Sequence, residues 1–147
     1  MNNVEVNSMH IELPDWSGRL LDFAYRVLDD CDEDGWDLSL LLCDDAFIRQ
    51  LNAEYRGKDE PTDVLSFSQD GLPLEEAPGG GDIVISLPVV RRYADTFGVQ
   101  EEEELKRVII HGILHLRGLD HESNDQREPM LKEQERLLQT YTGVKVF

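Results

Sequence analysis

The sequence predicts an α+β fold: a single domain, residues 1–147, with a small mixed four-stranded sheet covered by about five helices. Three observations predict this class. The chain has 147 residues, of which 40% are hydrophobic, which is enough for one packed core but little for two. In the first half, short apolar or β-branched runs alternate with segments of helical periodicity. The last third of the chain carries helical patterns.

The predicted elements begin with "NVEVNSMHIEL", whose partial alternation of apolar and polar residues indicates a first strand. "PDWSGRLLDFAYRVLDDC" predicts a helix, because its apolar residues recur at helical spacing after Asp15 near the start. The apolar run "WDLSLLLCD" follows Asp34 and Gly35 and predicts a second strand. "DDAFIRQLNAEYRG" predicts a helix that ends at Gly57, a natural C-cap.

The second half begins with "TDVLSFS", a predicted third strand. "PLEEAPGGGDIVIS" predicts an exposed Pro/Gly loop and then a fourth strand, Asp82–Ser86, paired with the third. A helix over Val89–Phe97 is expected to close at Gly98. "QEEEELKRVIIHGILHLRG" predicts a helix with glutamates at its positive end. "REPMLKEQERLLQTY" predicts the last helix, in which Pro129 fits only the first turn.

The charge balance restricts the function. Lys and Arg number 14 against 31 Asp and Glu, which gives a formal net charge of −17. Such a chain repels polyanions at long range. General coating of nucleic acid is therefore disfavoured, and work on RNA requires a local cationic site.

Cysteine content and the N-terminus predict the compartment. Cys31 and Cys43 lie in apolar surroundings without metal-ligand spacing, which predicts two buried, reduced thiols. The N-terminus shows no leader pattern, and no run approaches the roughly 18 apolar residues that span a bilayer. A cytoplasmic location without membrane attachment is expected.

Three of the four histidines lie in "HGILHLRGLDH", at the spacing H-x3-H-x5-H. His111 and His115 are i and i+4 neighbours on one helical face, so their imidazoles can meet at one point. Gly118 lets the chain reverse and bring His121 back as a third ligand. Three histidines with an open fourth position predict a catalytic, zincin-like zinc site. Without a metal, each unpaired buried imidazole would cost about 1–3 kcal/mol.

Gly112 departs from the metalloprotease pattern H-E-x-x-H-x-x-G-x-x-H, in which the glutamate is the general base. A glycine cannot take a proton, so peptide hydrolysis by that route is disfavoured. The small residue instead indicates a close helix contact or room for substrate.

With this site, the chain resembles the YbeY family of bacterial rRNA-maturation endoribonucleases. Three blocks carry the resemblance: "LNAEYRGKDEPTDVLSFS" (Leu51–Ser68), "GDIVIS" (Gly81–Ser86) and "HGILHLRGLDH" (His111–His121). In their order and spacing they span more than half of the chain. Leu119 departs from the family, which often has an aromatic residue before the final Asp-His.

The resemblance implies a zinc-dependent, single-strand-specific endoribonuclease that acts in 16S rRNA 3′-end maturation and ribosome quality control. It implies His111, His115 and His121 as ligands of one zinc ion, and Arg56 as the catalytic arginine. Implied partners are rRNA of the small ribosomal subunit, a ribosomal protein and a ribosome-associated GTPase. The native metal is left open, because three imidazoles also accept nickel, copper or iron.

The general base is also left open. Water activated by the metal or the RNA 2′-hydroxyl could attack, while the Arg56 guanidinium meets the charge of the transition state. Asp120, beside a ligand, could orient a histidine or move a proton. Thr62, Asp63 and Ser66 lie in a matching block, but strand packing and turns explain them equally well. The candidate phosphate contacts are Arg91, Arg92 and Arg117, with Lys106 and Arg107 as further candidates.

Two other functions fit the sequence. A non-catalytic ribosome-assembly factor with a structural zinc site fits the acidic charge and the missing base. It predicts that Arg56→Ala leaves function in cells intact while histidine variants unfold. A metal hydrolase acting on a small or peptide substrate would cut a peptide library but no RNA.

Overall fold

Four strands and five helices make up the part of the chain that this computed structural model describes, residues 1–68, 79–118 and 128–147. In chain order they are β1 (Asn3–Met9), α1 (Ser17–Asp30), β2 (Asp37–Cys43), α2 (Asp45–Arg56), β3 (Val64–Ser68), β4 (Gly80–Ser86), α3 (Leu87–Phe97), α4 (Glu101–Leu116) and α5 (Pro129–Thr140). This is the predicted order, and it confirms the α+β class. The predicted Pro/Gly loop falls mostly on residues 69–78, outside the described residues.

The sheet is mixed, with strand order β1-β2-β4-β3. β1, β2 and β4 run parallel. β3 runs antiparallel to β4, with Leu65 opposite Val84. Within the described part of the sheet, β3 is therefore an edge strand, and α4 packs beside it.

The two faces of the sheet pack against different helices. Successive residues of a strand point to opposite faces, so each strand contributes side chains to both. Leu40 of β2 and Ile83 of β4 belong to the main core, with α1, α4 and α5. Val84, the next residue of β4, packs with Cys43 and with Ile48 of α2. α2 therefore covers one face, and α1, α4 and α5 cover the other.

β4 begins at Gly80, two residues before the predicted start at Asp82. Gly80 pairs with Asp37 of β2 and has φ 111°. A Cβ at Gly80 would lie 2.1 Å from the Asp37 carbonyl oxygen, so only glycine allows this close approach of the strands. Gly80 and Gly81, which the sequence analysis assigned to the loop, are therefore part of β4.

The helix ends mostly follow the predicted signals. α3 begins at Leu87 instead of Val89, because the Ser86 hydroxyl accepts a hydrogen bond from the Val89 N–H at 3.3 Å and caps the helix. α2 ends at Gly57, which has the left-handed φ of 70°. α5 begins at Pro129, where a proline is tolerated.

Both cysteines are buried and free, as predicted. Burial raises the pKa of Cys31, and burial raises the pKa of Cys43 to about 12. Both side chains are therefore thiols of low reactivity.

No helix within the described ranges combines the length and the apolar character that crossing a bilayer requires.

Candidate active site

Helix α4 carries His111 and His115 on the side that lines a cavity. Their ring centroids are 4.7 Å apart, with the ring planes at 70°. Both side chains are partly exposed, whereas residues 112–114 between them are buried. The i, i+4 spacing thus places two imidazoles side by side where a ligand can reach them.

Gly112, between the two histidines, is a packing requirement of α4. A Cβ at Gly112 would lie 2.8 Å from Ile83 Cδ1 and 3.0 Å from its Cγ2. Ile83 is fully buried on β4, so α4 rests directly on the sheet at this point. A glutamate here would enter the core. The close helix contact explains the glycine, and the position has no space for the general base of a protease.

We expect Gly112→Ala to lower the free energy of unfolding by up to about 2 kcal/mol. Overpacking costs about 1–3 kcal/mol, and the better helix propensity of alanine returns up to about 1 kcal/mol. In an Ile83→Val background, which lacks the Cδ1 methyl, Gly112→Ala should cost less stability than it does in the parent chain. Urea unfolding measures the free energy.

The matched control is Gly18→Ala in α1, where an added Cβ meets nothing within 4 Å. That variant should be as stable as the parent chain or slightly more stable. A Gly112→Ala protein that also gains stability would contradict the packing explanation.

Arg56 reaches the same cavity from the α2 side of the sheet. It is the last residue of α2, and the left-handed Gly57 ends the helix directly after it. The following loop is held in place because the Nδ2 of buried Asn52 donates to the Glu60 carbonyl oxygen at 2.8 Å. The Arg56 side chain is therefore presented by a fixed helix end.

The cavity lies at the β3 edge of the sheet and has a volume of about 920 Å³. Its wall combines the end of α2, the loop 57–63, β3, α4 and single residues of α3 and α5. Elements from both faces of the sheet meet here because β3 is the edge strand. The volume falls within the roughly 300–1,000 Å³ of ligand pockets.

The cations of the cavity wall differ in how far they are neutralised. Arg107 binds Glu104 at 2.6 Å and Glu135 at 3.1 Å. Arg56 and Lys58 form no ion pair with a carboxylate in the described ranges. Their two positive charges can therefore meet a phosphate, although the whole chain carries a formal charge of −17.

Asp63 is an acidic group of the same wall. Burial raises the pKa of its carboxyl. A positive charge on His111, present only when that imidazole is protonated, and hydrogen bonds from the Val64 N–H and the Thr62 hydroxyl lower that pKa without cancelling the effect of burial. The Asp63 carboxyl therefore has a higher pKa than that of an exposed aspartate. The explanation of Asp63 by strand packing and turns did not predict this.

Gln134 is a residue of the site that the sequence reasoning missed. Its Oε1 lies 2.7 Å from His111 Nδ1, and its Nε2 donates to Glu135 Oε2 at 3.0 Å. It is 7% exposed and shares the buried face of α5 with Met130 and Leu137. The available signal was an amide on a helical face that otherwise carries apolar side chains.

Aromatic side chains add a stacking surface to the cavity wall. Tyr55 precedes Arg56 and is 64% exposed. Its ring centroid lies 5.2 Å from that of Phe67 on β3 in an edge-to-face arrangement. Tyr93 of α3 lines the same cavity. Exposed aromatic faces beside cations are typical of surfaces that bind unpaired nucleotides.

Only part of the predicted metal site lies within the described residues. Asp120 and His121, together with Leu119, lie outside the described residues. Among the residues that are described, no group of three His, Cys, Asp or Glu side chains is placed to hold a metal ion. His111 and His115 are brought together, and paired imidazoles are donors that zinc accepts. The described part therefore fits zinc, and the third ligand stays a prediction.

The three predicted phosphate contacts do not line this cavity. Each forms an ion pair with a neighbouring acid: Arg91 with Glu101 at 3.4 Å, Arg92 with Asp45 at 2.9 Å and Arg117 with Glu33 at 2.8 Å. Of the two further cations, Lys106 is buried and donates to the Tyr141 carbonyl oxygen at 2.9 Å, whereas Arg107 lines the cavity. Phosphate binding by these residues stays a prediction.

The family model and two similar Treponema proteins name the same family. A family model described as Endoribonuclease YbeY matches residues 2–142. The protein named Endoribonuclease YbeY of Treponema pallidum (strain Nichols) is 47% identical over 148 residues, covering 98% of this chain and 92% of that protein. Its namesake in Treponema denticola is 49% identical over 133 residues, covering 88% and 86%. The solution structure of a Thermotoga maritima protein is similar with a TM-score of 0.59 and 29% identity, covering 92% of this chain and 87% of that chain.

Proposed function

The chain belongs to the endoribonuclease YbeY family, and we propose that it is a zinc-dependent, single-strand-specific endoribonuclease that acts in 16S rRNA 3′-end maturation and ribosome quality control. One observation carries the proposal. Arg56 and the histidine pair come from opposite faces of the sheet and line one cavity. That combination suits cleavage of a phosphodiester, whose transition state gathers negative charge.

Arg56 supplies the charge that this reaction needs from the protein. A guanidinium can bind two phosphate oxygens at once, and it stays protonated throughout. Its position at the end of α2 fixes the backbone from which it reaches the cavity. Lys58, two residues further on, adds a second cation to the wall. The same wall carries the acids Glu60, Asp63 and Glu104, so Arg56 and Lys58 act as two local cations and not as a broadly positive surface.

His111, His115 and His121 would hold the zinc ion. When bound, zinc would supply Lewis-acid polarisation of a phosphoryl oxygen. Gly112 provides no base, and two attacking groups remain open: water and the RNA 2′-hydroxyl. Attack by the 2′-hydroxyl leaves a cyclic phosphate, whereas attack by water leaves a linear phosphate end. The product ends therefore identify the attacking group.

Tyr55 supports the preference for unpaired RNA, because a base can lie on its exposed ring only when it is not paired. We expect Tyr55→Ala to raise KM for single-stranded RNA roughly 5- to 150-fold, which corresponds to about 1–3 kcal/mol for one stacked base. Tyr55→Phe keeps the aromatic face and should recover most of the affinity. Steady-state cleavage of a fluorescent single-stranded RNA measures KM.

The control is Leu13→Ala, because Leu13 is 47% exposed and does not line the cavity. Its KM should match that of the parent chain. Equal KM values for Tyr55→Ala and Leu13→Ala would exclude stacking on Tyr55.

The experiment for the proposed function is cleavage of an RNA that carries the 16S 3′ region, in single-stranded and in duplex form, by zinc-loaded protein. We expect cuts in the single-stranded form only. Cutting of a peptide library without cutting of RNA would favour the peptide hydrolase. Cutting of neither, by protein that is folded and zinc-loaded, would favour the assembly factor with a structural zinc site.

Partners and location follow from the same proposal. We expect association with the small ribosomal subunit and its rRNA, with a ribosomal protein and a ribosome-associated GTPase as further partners, in the cytoplasm. Co-sedimentation with purified small subunits measures the first of these.

A further inference from the structure

The hydrogen bonds around Gln134 determine which way its amide faces. Its Nε2 lies 3.0 Å from Glu135 Oε2, and an amide nitrogen can only donate while a carboxylate can only accept. Burial alone would raise the pKa of Glu135. The hydrogen bonds from Arg107 and Gln134 outweigh burial and lower this pKa, so the group is a carboxylate. The amide oxygen Oε1 is therefore the atom that faces His111.

The amide orientation has a consequence for His111. Its Nδ1 lies 2.7 Å from Gln134 Oε1, which carries no hydrogen. The proton of this short hydrogen bond must therefore belong to Nδ1. In a neutral imidazole one nitrogen carries the hydrogen and the other carries the lone pair, so the lone pair of His111 is on Nε2.

The amide is held by a chain of charged groups rather than by one contact. Glu135 accepts two hydrogen bonds from Arg107, at 3.1 and 3.2 Å. Arg107 also donates to the buried Glu104 at 2.6 Å. These contacts join α4 to α5, so they fix the position of the Gln134 amide independently of its own rotamer preference.

We propose that Gln134 is a positioning residue that holds His111 in the Nδ1–H form and so presents the Nε2 lone pair to a divalent metal ion in the cavity. The inference rests on the metal site of the proposed function. It assigns to Gln134 a role like that of the carbonyl and carboxylate groups that orient metal-binding histidines. It also explains why a polar amide stands on the apolar face of α5.

The test uses the full chain stripped of metal by a chelator. Two-bond hydrogen–nitrogen NMR of the histidine rings, in mildly alkaline buffer, reports which nitrogen of each ring carries the hydrogen. A His111→Gln variant assigns the His111 signals. We expect the Nδ1–H form in the parent chain and in Gln134→Glu, which keeps an acceptor oxygen, and a growing share of the Nε2–H form in Gln134→Leu.

A second readout is zinc affinity, measured by competition with a coloured chelator. Gln134→Leu should bind zinc about 10- to 100-fold more weakly, the usual loss when such a partner is removed. Gln134→Glu should restore most of the affinity. Gln139→Leu, on the exposed side of the same helix, should bind zinc as the parent chain does.

Three outcomes would overturn the inference. The first is the Nε2–H form of His111 in the metal-free parent chain, and the second is unchanged zinc affinity in a folded Gln134→Leu protein. Either would leave the proposed function standing. The third, a folded parent chain that binds no zinc and no other divalent metal, would remove the proposed metal site together with the role of Gln134.

Discussion

Arg56→Ala should lose roughly 100- to 1,000-fold in kcat for RNA cleavage while zinc content and thermal stability stay close to those of the parent chain. The side chain is exposed at the end of α2, so its removal leaves no hole in the core. Its charge at the helix C-terminus is worth about 0.3–1 kcal/mol, which is too little to unfold the protein. The loss should appear in kcat more than in KM, because the guanidinium acts on charge that develops in the transition state. Arg56→Lys should recover only part of the rate, since lysine lacks the planar fork.

Arg49 provides the matched control for Arg56. It lies on the same helix, is exposed and pairs with Asp59 at 2.9 Å, but it does not line the cavity. Arg49→Ala should cleave RNA as the parent chain does. If Arg56→Ala and Arg49→Ala cleave equally well at equal zinc content, the assignment of Arg56 is wrong and the cleavage belongs elsewhere.

His115→Ala should bind zinc more than about 100-fold more weakly, because removing a ligand costs more than removing a partner of a ligand. Cleavage of RNA should fall in proportion to the bound zinc. The metal-free variant should melt at nearly the same temperature as the metal-free parent chain, because His115 is partly exposed on the cavity side of α4. Metal analysis after gel filtration and thermal melting measure the two quantities.

His10→Asn is the control for this variant. His10 lies outside the cavity and has φ 66°, a conformation that asparagine accepts more readily than alanine. The His10→Asn protein should bind zinc and cleave RNA as the parent chain does. A His115→Ala protein that retains all its zinc would refute the ligand assignment. One that unfolds without metal while the metal-free parent chain stays folded would point to a structural role of the histidine.

The order of the elements could be predicted because local patterns determine it. Helical periodicity and the C-cap Gly57 located α2, and the apolar run of β2 located that strand. The start of β4 could not be predicted. Gly80 is in the strand only because β2 passes close to it, and such an approach is a tertiary fact. The family indicated by the three sequence blocks is confirmed by the family model and the relatives.

In the candidate site, too, local patterns could be predicted and tertiary contacts could not. The i, i+4 spacing was enough to place His111 beside His115, because a helix fixes that relation by itself. Gln134 was missed because its partner lies on another helix, and one sequence does not reveal which polar atoms meet across α4 and α5. It was equally hard to predict which cations form ion pairs and which do not. With 31 acids against 14 cations, most cations find an acidic neighbour, and only the fold shows that Arg56 and Lys58 have none in the described ranges.

We propose that the cavity between α2 and α4 is a metal-dependent site of RNA cleavage. The most direct measurement is a zinc titration of chelator-stripped, folded protein, with cleavage of an RNA carrying the 16S 3′ region as the readout. We expect cleavage to be absent without metal, to rise with added zinc and to level off at one zinc ion per chain. Full cleavage by protein that contains no metal, or no cleavage at saturating zinc, would contradict it.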